Sequence, residues 1–388
     1  MDSEGKKVVV LGCTGSIGDT CFKVLENLGT GFTVVGLSGG AKIPKLIDRA
    51  HRWRPDKICV ADAEAVAQVR SAVPGSEVVC GAAGLLELAT MPGVELVLNG
   101  LVGAVGLQPT LAALAEGKTV AMANKEPLVM AGGLILDMAR TGGGTILPLD
   151  SEPNAIWQCL KGEDSKELRR IILTASGGPF CGRTRGELRD ISPAEALDHP
   201  TWKMGPKITV DCATLMNKGF EVIEAAWLFG VAIDQVDVVV HRQSVVHSLV
   251  EFCDGAILAH MGKTDMFLPI QYALTHPGRH TVPIEPLDLA ALGQLTFAAP
   301  DRENFPCLDL CYDAGRRGGT APAALNAANE EAVGAFLGGR IGFGDIADLN
   351  GAIMADWSEG DAADVGDVLA ADRVARQHAE EWIARLER

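Results

Sequence analysis

Aromatic residues are scarce in this chain, 5% of the total with only two tyrosines. That scarcity counts against one enzyme class. Short-chain dehydrogenases and epimerases need Tyr-x-x-x-Lys, whereas here Tyr272 is followed four residues later by His276 and Tyr312 by Arg316. Positive charge is also in short supply, 34 Lys and Arg against 50 Asp and Glu, for a formal net charge of −16. So acidic a chain argues against nucleic acid or an anionic membrane as partner, and leaves any basic cleft to a small anionic ligand. No apolar run reaches membrane-spanning length, the longest being broken by Asn99 or Asp234. The ten cysteines lack a zinc pattern, since no second pair answers Cys307 and Cys311, and they read as reduced cytosolic thiols. No signal or transit peptide is visible in the acidic opening Met1-Asp2-Ser3-Glu4, so the expectation is a soluble, cytoplasmic protein. Internal repeats and low-complexity segments are absent.

What the chain does have is glycine, 45 residues within a 47% hydrophobic composition, which fits an α/β enzyme with many tight βα turns. Residues 7–11 read as a buried strand and lead into Gly12-Cys13-Thr14-Gly15-Ser16-Ile17-Gly18, then an apolar-periodic helix through Leu28. Strand, glycine turn and helix in that order form a dinucleotide-binding arrangement. Gly12 allows the tight turn, Gly15 lets the backbone approach a pyrophosphate, and Gly18 lets helix pack on strand. The same spacing recurs at Gly100, Gly103 and Gly106, read here as a structural turn. A second strand at 32–37 ends in Ser38-Gly39-Gly40-Ala41-Lys42. The acid that would hold an NAD ribose hydroxyl is missing, and Lys42 and Lys45 stand in its place, favouring NADP. The same lysines would also serve as a solvated helix start. Helices at 43–52, 63–72, 84–90 and 107–115 alternate with strands at 57–61, 78–80 and 94–99, giving a Rossmann-like, doubly wound parallel sheet.

A further buried strand at 118–123 delivers Asn124-Lys125-Glu126 to the sheet's carboxyl edge, where ligands bind and a lysine is placed to stabilise an oxyanion. After a helix at 127–141 comes the run 145–149, ending in Asp150-Ser151-Glu152. If that run stays extended, both carboxylates share a face and suit a hard divalent cation, Mg²⁺ or Mn²⁺. A solvated acidic turn satisfies the same three residues. Residues 171–175 begin a second domain and end in Ser176-Gly177-Gly178, a turn able to offer N–H groups and a hydroxyl to an anion. His199-Pro200-Thr201-Trp202-Lys203-Met204-Gly205 fits either a closing lid or a plain surface loop. A strand at 207–211 follows, then Cys212 and a helix with Phe220, Ile223 and Trp227 on one face. Asn217 and Lys218 are expected just before that helix, as phosphate donors, and Glu221 in its first turn, completing an oxygen ligand set with Asp150 and Glu152. Strands at 236–241, 248–252 and 255–261 make an open sheet with a helix at 266–274 nearby. Residues 277–306 are a proline-rich connector, and helices at 321–337, 343–355 and 370–386 close the chain.

Eight blocks, in order over most of the chain to about residue 355, resemble the 1-deoxy-D-xylulose 5-phosphate reductoisomerase family. They are G-C-T-G-S-I-G, A-N-K-E, L-D-S-E-x-N-A-I, T-A-S-G-G-P-F, H-P-T-W-K-M-G, M-N-K-G-F-E, Q-S-V-V-H-S and L-N-A-A-N-E. The resemblance implies an NADPH domain over 1–150, a catalytic domain that also pairs subunits into a homodimer over 151–276, a linker over 277–312 and a helical domain over 313–388. It implies Asp150, Glu152 and Glu221 as metal ligands. Lys125 and Ser151 would meet the substrate's oxygens beside the metal, and His247 would support the site. Ser176, His199, Asn217 and Lys218 would hold the substrate, largely by its phosphate, with Cys212 at the same pocket and Trp202 and Met204 in the lid. Gly12, Thr14, Gly15, Ser16, Ile17, Gly40, Lys42, Asn124, Glu126 and Gly205 would bind the cofactor. The implied reaction rearranges a ketose phosphate and reduces the branched aldehyde to 2-C-methyl-D-erythritol 4-phosphate, a step of non-mevalonate isoprenoid biosynthesis.

Five positions depart from the family's usual pattern. Pro153 stands where His is usual, Cys212 and Cys13 where Ser is usual, Lys42 one place beyond the usual cation, and Arg242 in place of Pro. None is a metal ligand, so an active enzyme with altered kinetics is expected. Two other readings share the fold: a metal-dependent NADP-linked hydroxy-acid dehydrogenase, and a non-catalytic NADP-binding regulator for which Pro153 and Cys212 would be marks of decay.

Overall fold

The computed structural model describes residues 5–358 and 360–386, so the acidic opening Met1–Glu4 lies outside the described residues. By compactness the chain divides into two units: residues 1–127 with 135–154 and 266–284, and residues 128–134 with 155–265 and 285–388. The boundaries expected at 150, 276 and 312 do not coincide with this division.

The first unit is built on a seven-stranded sheet in the order β4-β3-β2-β1-β5-β6-β7. Its elements run β1 (Lys6–Leu11), α1 (Ser16–Leu28), β2 (Phe32–Gly39), α2 (Ile43–Trp53), β3 (Lys57–Val60), α3 (Ala63–Ala72), β4 (Glu77–Cys80) and α4 (Gly81–Ala89). The chain then returns to the middle through β5 (Leu96–Asn99), α5 (Leu107–Ala115), β6 (Thr119–Met122), α6 (Glu126–Gly142) and β7 (Thr145–Pro148). Every pairing is parallel. Strands covered on both faces should read as continuous apolar runs, and Val8, Val9, Val10 and Leu11 are each at most 1% exposed. The order reverses between β1 and β5, and ligands of open α/β sheets bind at such a switch point, beyond the strands' carboxyl ends.

After β7 the backbone turns at once into α7 (Ser151–Cys159). This corrects the extended reading of Asp150 and Glu152: Asp150 precedes the helix and Glu152 lies in its first turn, so helical geometry rather than strand alternation sets their directions. Asn154 Nδ2 donates to Pro148 O at 2.8 Å and Pro269 O at 3.1 Å. The segment around Pro269 belongs to the first unit, where Gln271 also accepts from Asn27 Nδ2 at 2.8 Å.

The second unit holds a four-stranded sheet, order β11-β10-β8-β9, from β8 (Leu168–Ala175), β9 (Val236–Val240), β10 (Val246–Phe252) and β11 (Ile257–Met261). The helices α8 (Pro193–Ala196), α9 (Pro206–Ala213) and α10 (Met216–Phe229) lie between β8 and β9 in the chain, whereas α11 (Phe267–Thr275) is part of the first unit. The strand expected over 207–211 is α9 instead. Ile208, Thr209 and Val210 have strand character, but Pro206 at the first turn suits a helix start, and Lys207 closes an i,i+4 ion pair to Asp211 at 2.8 Å. The connector over 277–306 is irregular apart from α12 (Leu289–Leu292) and is pinned by the bridge Val240↔Ala298.

The helices α13 (Cys307–Arg317), α14 (Ala321–Leu337), α15 (Phe343–Asp356) and α16 (Val365–Leu386) complete the unit. The sequence reading placed the last three and missed α13, which follows directly on the proline-rich connector. One continuous core joins these helices to the sheet through Phe180, Val210, Val222, Leu308, Phe336 and Ile346. Within it Phe336 is 1% exposed, and truncating such a ring costs about 3–5 kcal/mol.

Candidate active site

In the first unit the glycine turn forms as expected. Gly12 has φ +75° and packs so closely that a Cβ would sit 2.4 Å from Gly100 O. Only glycine satisfies both conditions. At Gly18 a Cβ would sit 2.5 Å from Cys13 O, so helix and turn meet backbone to backbone. Gly15 caps α1 without a side-chain hydrogen bond, and a Cβ there would meet only Gly12 O, at 3.5 Å. The N–H groups at the start of α1 therefore face an open approach, suited to an anion. Thr14 is buried and Ser16 exposed; Gly40 and Lys42 are exposed too. Lys45 is committed elsewhere, 2.7 Å from Asp19, an acid that Arg49 also pairs at 2.7 Å. Of the two lysines read as a 2′-phosphate contact, only Lys42 remains placed for that role.

At the carboxyl end of β6, Asn124, Lys125 and Glu126 are all buried. Asn124 Nδ2 donates to Glu126 Oε2 at 2.7 Å and to Gly103 O at 3.3 Å, while its Oδ1 is buried with no hydrogen-bond partner. That acceptor suits a donor on a bound ligand. The second glycine turn thus does more than the structural job expected of it: it holds Asn124, and a Cβ on Gly106 would lie 2.3 Å from Asn124 Oδ1.

Lys125 Nζ lies 2.9 Å from Asp150 Oδ2, and the two side chains are 4% and 12% exposed. The same Oδ2 is buried and lacks a hydrogen bond, so the contact is an ion pair without hydrogen-bond alignment. Asp150 Oδ1 accepts from Ser151 N at 3.0 Å, and Ser151 Oγ donates to Glu152 Oε2 at 2.5 Å. Two carboxylates two residues apart, with a buried oxygen not satisfied by hydrogen bonds, form a donor set that fits a hard divalent cation.

In the second unit, Asn217 and Lys218 lie within the first turn of α10, not ahead of it, and Glu221 is in the second turn. Both donors reach back to that carboxylate. Asn217 Nδ2 donates to Glu221 Oε1 at 2.6 Å and Lys218 Nζ to Oε2, with Glu221 only 1% exposed. An ammonium has three donors and an amide two, so each can hold Glu221 and still donate to a phosphate.

Ser176, at the end of β8, opens a turn in which Gly177 and Gly178 both have positive φ, +76° and +66°. His199 Nδ1 accepts from Thr201 N at 3.2 Å and Trp202 N at 3.0 Å, and its Nε2 lies 2.9 Å from Ser176 Oγ. Two donors on Nδ1 place the ring proton on Nε2, which therefore donates to Ser176. Gly178 N donates to the same oxygen at 3.2 Å. Ser176 Oγ is then an acceptor twice over, and its own proton is left for a third group. Burial, with a smaller contribution from Arg242, pushes the His199 pKa down to about 4, so the ring is neutral near pH 7 and this wiring holds.

Trp202 and Met204 are half-buried in irregular chain, and the Trp202 ring lies 6.5 Å from that of His247, which is 5.8 Å from His260. Gly205 caps α9. Cys212 is half-buried near the end of α9, and its carbonyl oxygen lies 2.8 Å from where a Cβ on Gly178 would be. Sequence reasoning gave Arg242 no role beyond departing from the usual proline. Its Nη1 donates to Ser176 O at 2.8 Å and Gly178 O at 2.7 Å.

The 1-deoxy-D-xylulose 5-phosphate reductoisomerase model matches residues 8–132, its C-terminal domain model residues 146–229, and a DXP reductoisomerase C-terminal domain model residues 261–378. The chain belongs to the 1-deoxy-D-xylulose 5-phosphate reductoisomerase family. A reductoisomerase of Symbiobacterium thermophilum is 49% identical over 98% of this chain and 100% of its own, and one of Cupriavidus necator 46% over 98% of each. A crystal structure of a reductoisomerase in complex with NADPH, fosmidomycin and magnesium superposes with TM-score 0.95, 40% identity and 99% coverage of both chains. The Zymomonas mobilis reductoisomerase in complex with NADPH gives 0.90, 41%, and 98% and 99%. The Rossmann-like sheet, the second sheet domain and the C-terminal helical region match the reductoisomerase fold.

Proposed function

We infer that this chain converts 1-deoxy-D-xylulose 5-phosphate to 2-C-methyl-D-erythritol 4-phosphate with NADPH and a divalent cation, Mg²⁺ or Mn²⁺. The observation that carries the reading is near-full-length membership of the family, with Asp150-Ser151-Glu152 and Asn217-Lys218-x-x-Glu221 both intact. Asp150, Glu152 and Glu221 would hold the cation, an all-oxygen donor set of the kind that suits it. When bound, the cation supplies Lewis-acid stabilisation of developing oxyanions, and the cofactor supplies the hydride.

The chain's own residues do the rest. Lys125 brings a buried positive charge beside Asp150, placed to stabilise negative charge on a substrate oxygen. The Ser151 hydroxyl, its proton held by Glu152, keeps lone pairs for a substrate hydroxyl. Ser176 donates its O–H, Lys218 and Asn217 their remaining N–H groups, and His199 fixes Ser176 in that role, so the phosphate end is gripped while the other end reacts. Phosphate binding does no chemistry, but its energy orients the reacting carbons and draws the Trp202–Met204 segment closed; His247 backs Trp202. Gly12, Thr14, Gly15, Ser16, Ile17, Gly40, Lys42, Asn124, Glu126 and Gly205 would hold the cofactor, the glycine turn offering its backbone N–H groups to the pyrophosphate.

The assay is NADPH consumption with 1-deoxy-D-xylulose 5-phosphate and Mg²⁺ or Mn²⁺, with the product identified by mass and NMR. Oxidation of simple 2-hydroxy acids without any rearrangement would overturn the reading in favour of the dehydrogenase. Silence with every substrate would favour the regulator.

We further propose a homodimer in the cytoplasm. β11 is an edge strand with Ile257 and Leu258 49% and 40% exposed, and an apolar edge of this kind calls for a partner strand. Sedimentation at working concentration tests the assembly. All ten cysteines are free thiols, in keeping with a reducing compartment, and no helix among the described residues is long and apolar enough to cross a membrane.

A further inference from the structure

We propose that Arg242 is a positioning residue of the substrate's phosphate pocket, clamping the Ser176-Gly177-Gly178 turn through two of its carbonyls. The inference rests on the assignment of that turn to the phosphate. Both bonds come from one nitrogen, Nη1, at 2.8 Å to Ser176 O and 2.7 Å to Gly178 O. A peptide is planar and trans, so its C=O and the following N–H point in opposite directions. With Ser176 C=O drawn to the guanidinium, Gly177 N–H is turned away from it. The Gly178 N–H is directed to Ser176 Oγ. The clamp thus gathers acceptor oxygens on the Arg242 side and leaves the Gly177 N–H facing the other, which is the polarity an anion needs.

The turn needs this help because its sequence is permissive. Two consecutive glycines at positive φ can adopt many other conformations, and the next residue, Pro179, has no N–H to tie the backbone down. A Cβ on Gly178 would come within 2.8 Å of Cys212 O, so the turn packs closely on α9 on one side and is bonded by Arg242 on another. The guanidinium also disfavours a proton on His199, which keeps Ser176 a donor towards the ligand. A proline, usual in the family at this position, can make neither carbonyl bond. In this chain a side chain supplies that support.

The test is Arg242→Ala, measured in two ways. Hydrogen–deuterium exchange of the full protein should show faster exchange in peptides spanning 176–180. Steady-state kinetics should show KM for 1-deoxy-D-xylulose 5-phosphate raised roughly tenfold, with kcat and KM for NADPH changed by less than about twofold. Unchanged exchange overturns the clamp whatever KM does, since the guanidinium then acts by charge alone. Faster exchange with unchanged KM overturns the link to the substrate. If the wild-type protein does not turn over this substrate, the functional reading fails first. Inorganic phosphate, titrated against both proteins by protection of the same peptides, still decides the clamp. Protection weaker in the variant supports it, and equal protection overturns it.

Discussion

Lys125 Nζ and Asp150 Oδ2 lie 2.9 Å apart in nearly dry surroundings, yet the oxygen has no aligned hydrogen bond. The pair therefore balances charge without consuming the directional capacity of either group. Removing one partner leaves the other buried and uncompensated, which is costly. Lys125→Met should lower kcat by about 10²–10³-fold, the usual cost of losing one oxyanion donor, while NADPH still binds. Rapid-quench kinetics and a cofactor fluorescence titration check the two halves. A kcat within about threefold of wild type would remove Lys125 from the chemistry.

Glu221 has both oxygens occupied, one by Asn217 and one by Lys218, at 1% exposure. Glu221→Gln keeps the shape and removes the charge that the cation and Lys218 both need. Turnover should collapse while NADPH binding survives, because the residues proposed for the cofactor, other than Gly205, are in the first unit. Mn²⁺ affinity, followed by electron paramagnetic resonance, should weaken in parallel. Wild-type Mn²⁺ affinity in this variant would falsify the ligand assignment.

These two residues also show how far the sequence could be read. The glycine turn, Lys125 at a strand's carboxyl end and most helices follow from local patterns: apolar periodicity, tight glycine spacing, the position of a turn. What failed were choices settled by neighbours. Ile208, Thr209 and Val210 favour a strand on their own, but the Pro206 start and the Lys207–Asp211 pair fit a helix, where Asp211 also accepts from Asn329 Nδ2 at 2.8 Å. The helix at Ser151 could not be told from a strand end, since three polar residues carry no period. Arg242 was invisible as a functional residue because its partners, Ser176 and Gly178, are over sixty positions away.

Lys45 is tied to Asp19, so Lys42 is the cation on the β2–α2 turn placed to discriminate between cofactors. NADPH should be preferred over NADH. Lys42→Ala should raise KM for NADPH by about tenfold, as expected for one lost charge-assisted bond, and leave KM for NADH unchanged. Lys45→Ala should affect both cofactors alike, through the packing of α1 on α2. Equal efficiency of NADPH and NADH in the wild-type enzyme would sink the idea.

His199 has a folded pKa of about 4, below its unfolded value, chiefly because of burial. The unfolded chain therefore takes up the proton first as pH falls. The contribution to stability is complete above about pH 6.5 and is lost as pH drops through the folded value near 4. Across that window the slope is at most about 1.4 kcal/mol per pH unit for one proton. Comparing urea unfolding of wild type and His199→Gln at several pH values should show a shallower acid slope in the variant. Identical slopes would mean that His199 is protonated alike in both states.

Cys212 occupies the position where the family usually has a serine, five residues before Asn217, near the end of α9 and with its carbonyl against Gly178. A thiol donates weakly, whereas a hydroxyl gives a full O–H bond, and a hydrogen bond to a charged group is worth about 1.5–3 kcal/mol. The thiol should realise only part of that on a phosphate oxygen. Cys212→Ser should then lower KM for 1-deoxy-D-xylulose 5-phosphate several-fold, with KM for NADPH unchanged, because the change touches only the phosphate end. A thiolate here would repel the phosphate, so alkylation should be slow and should slow further when substrate is bound. The contrary picture is a small side chain filling space at a helix end, the ordinary role of a lone cysteine. The two pictures part cleanly: packing alone predicts an unchanged substrate KM in Cys212→Ser together with alkylation indifferent to substrate, and that pair of results would retire Cys212 from the pocket.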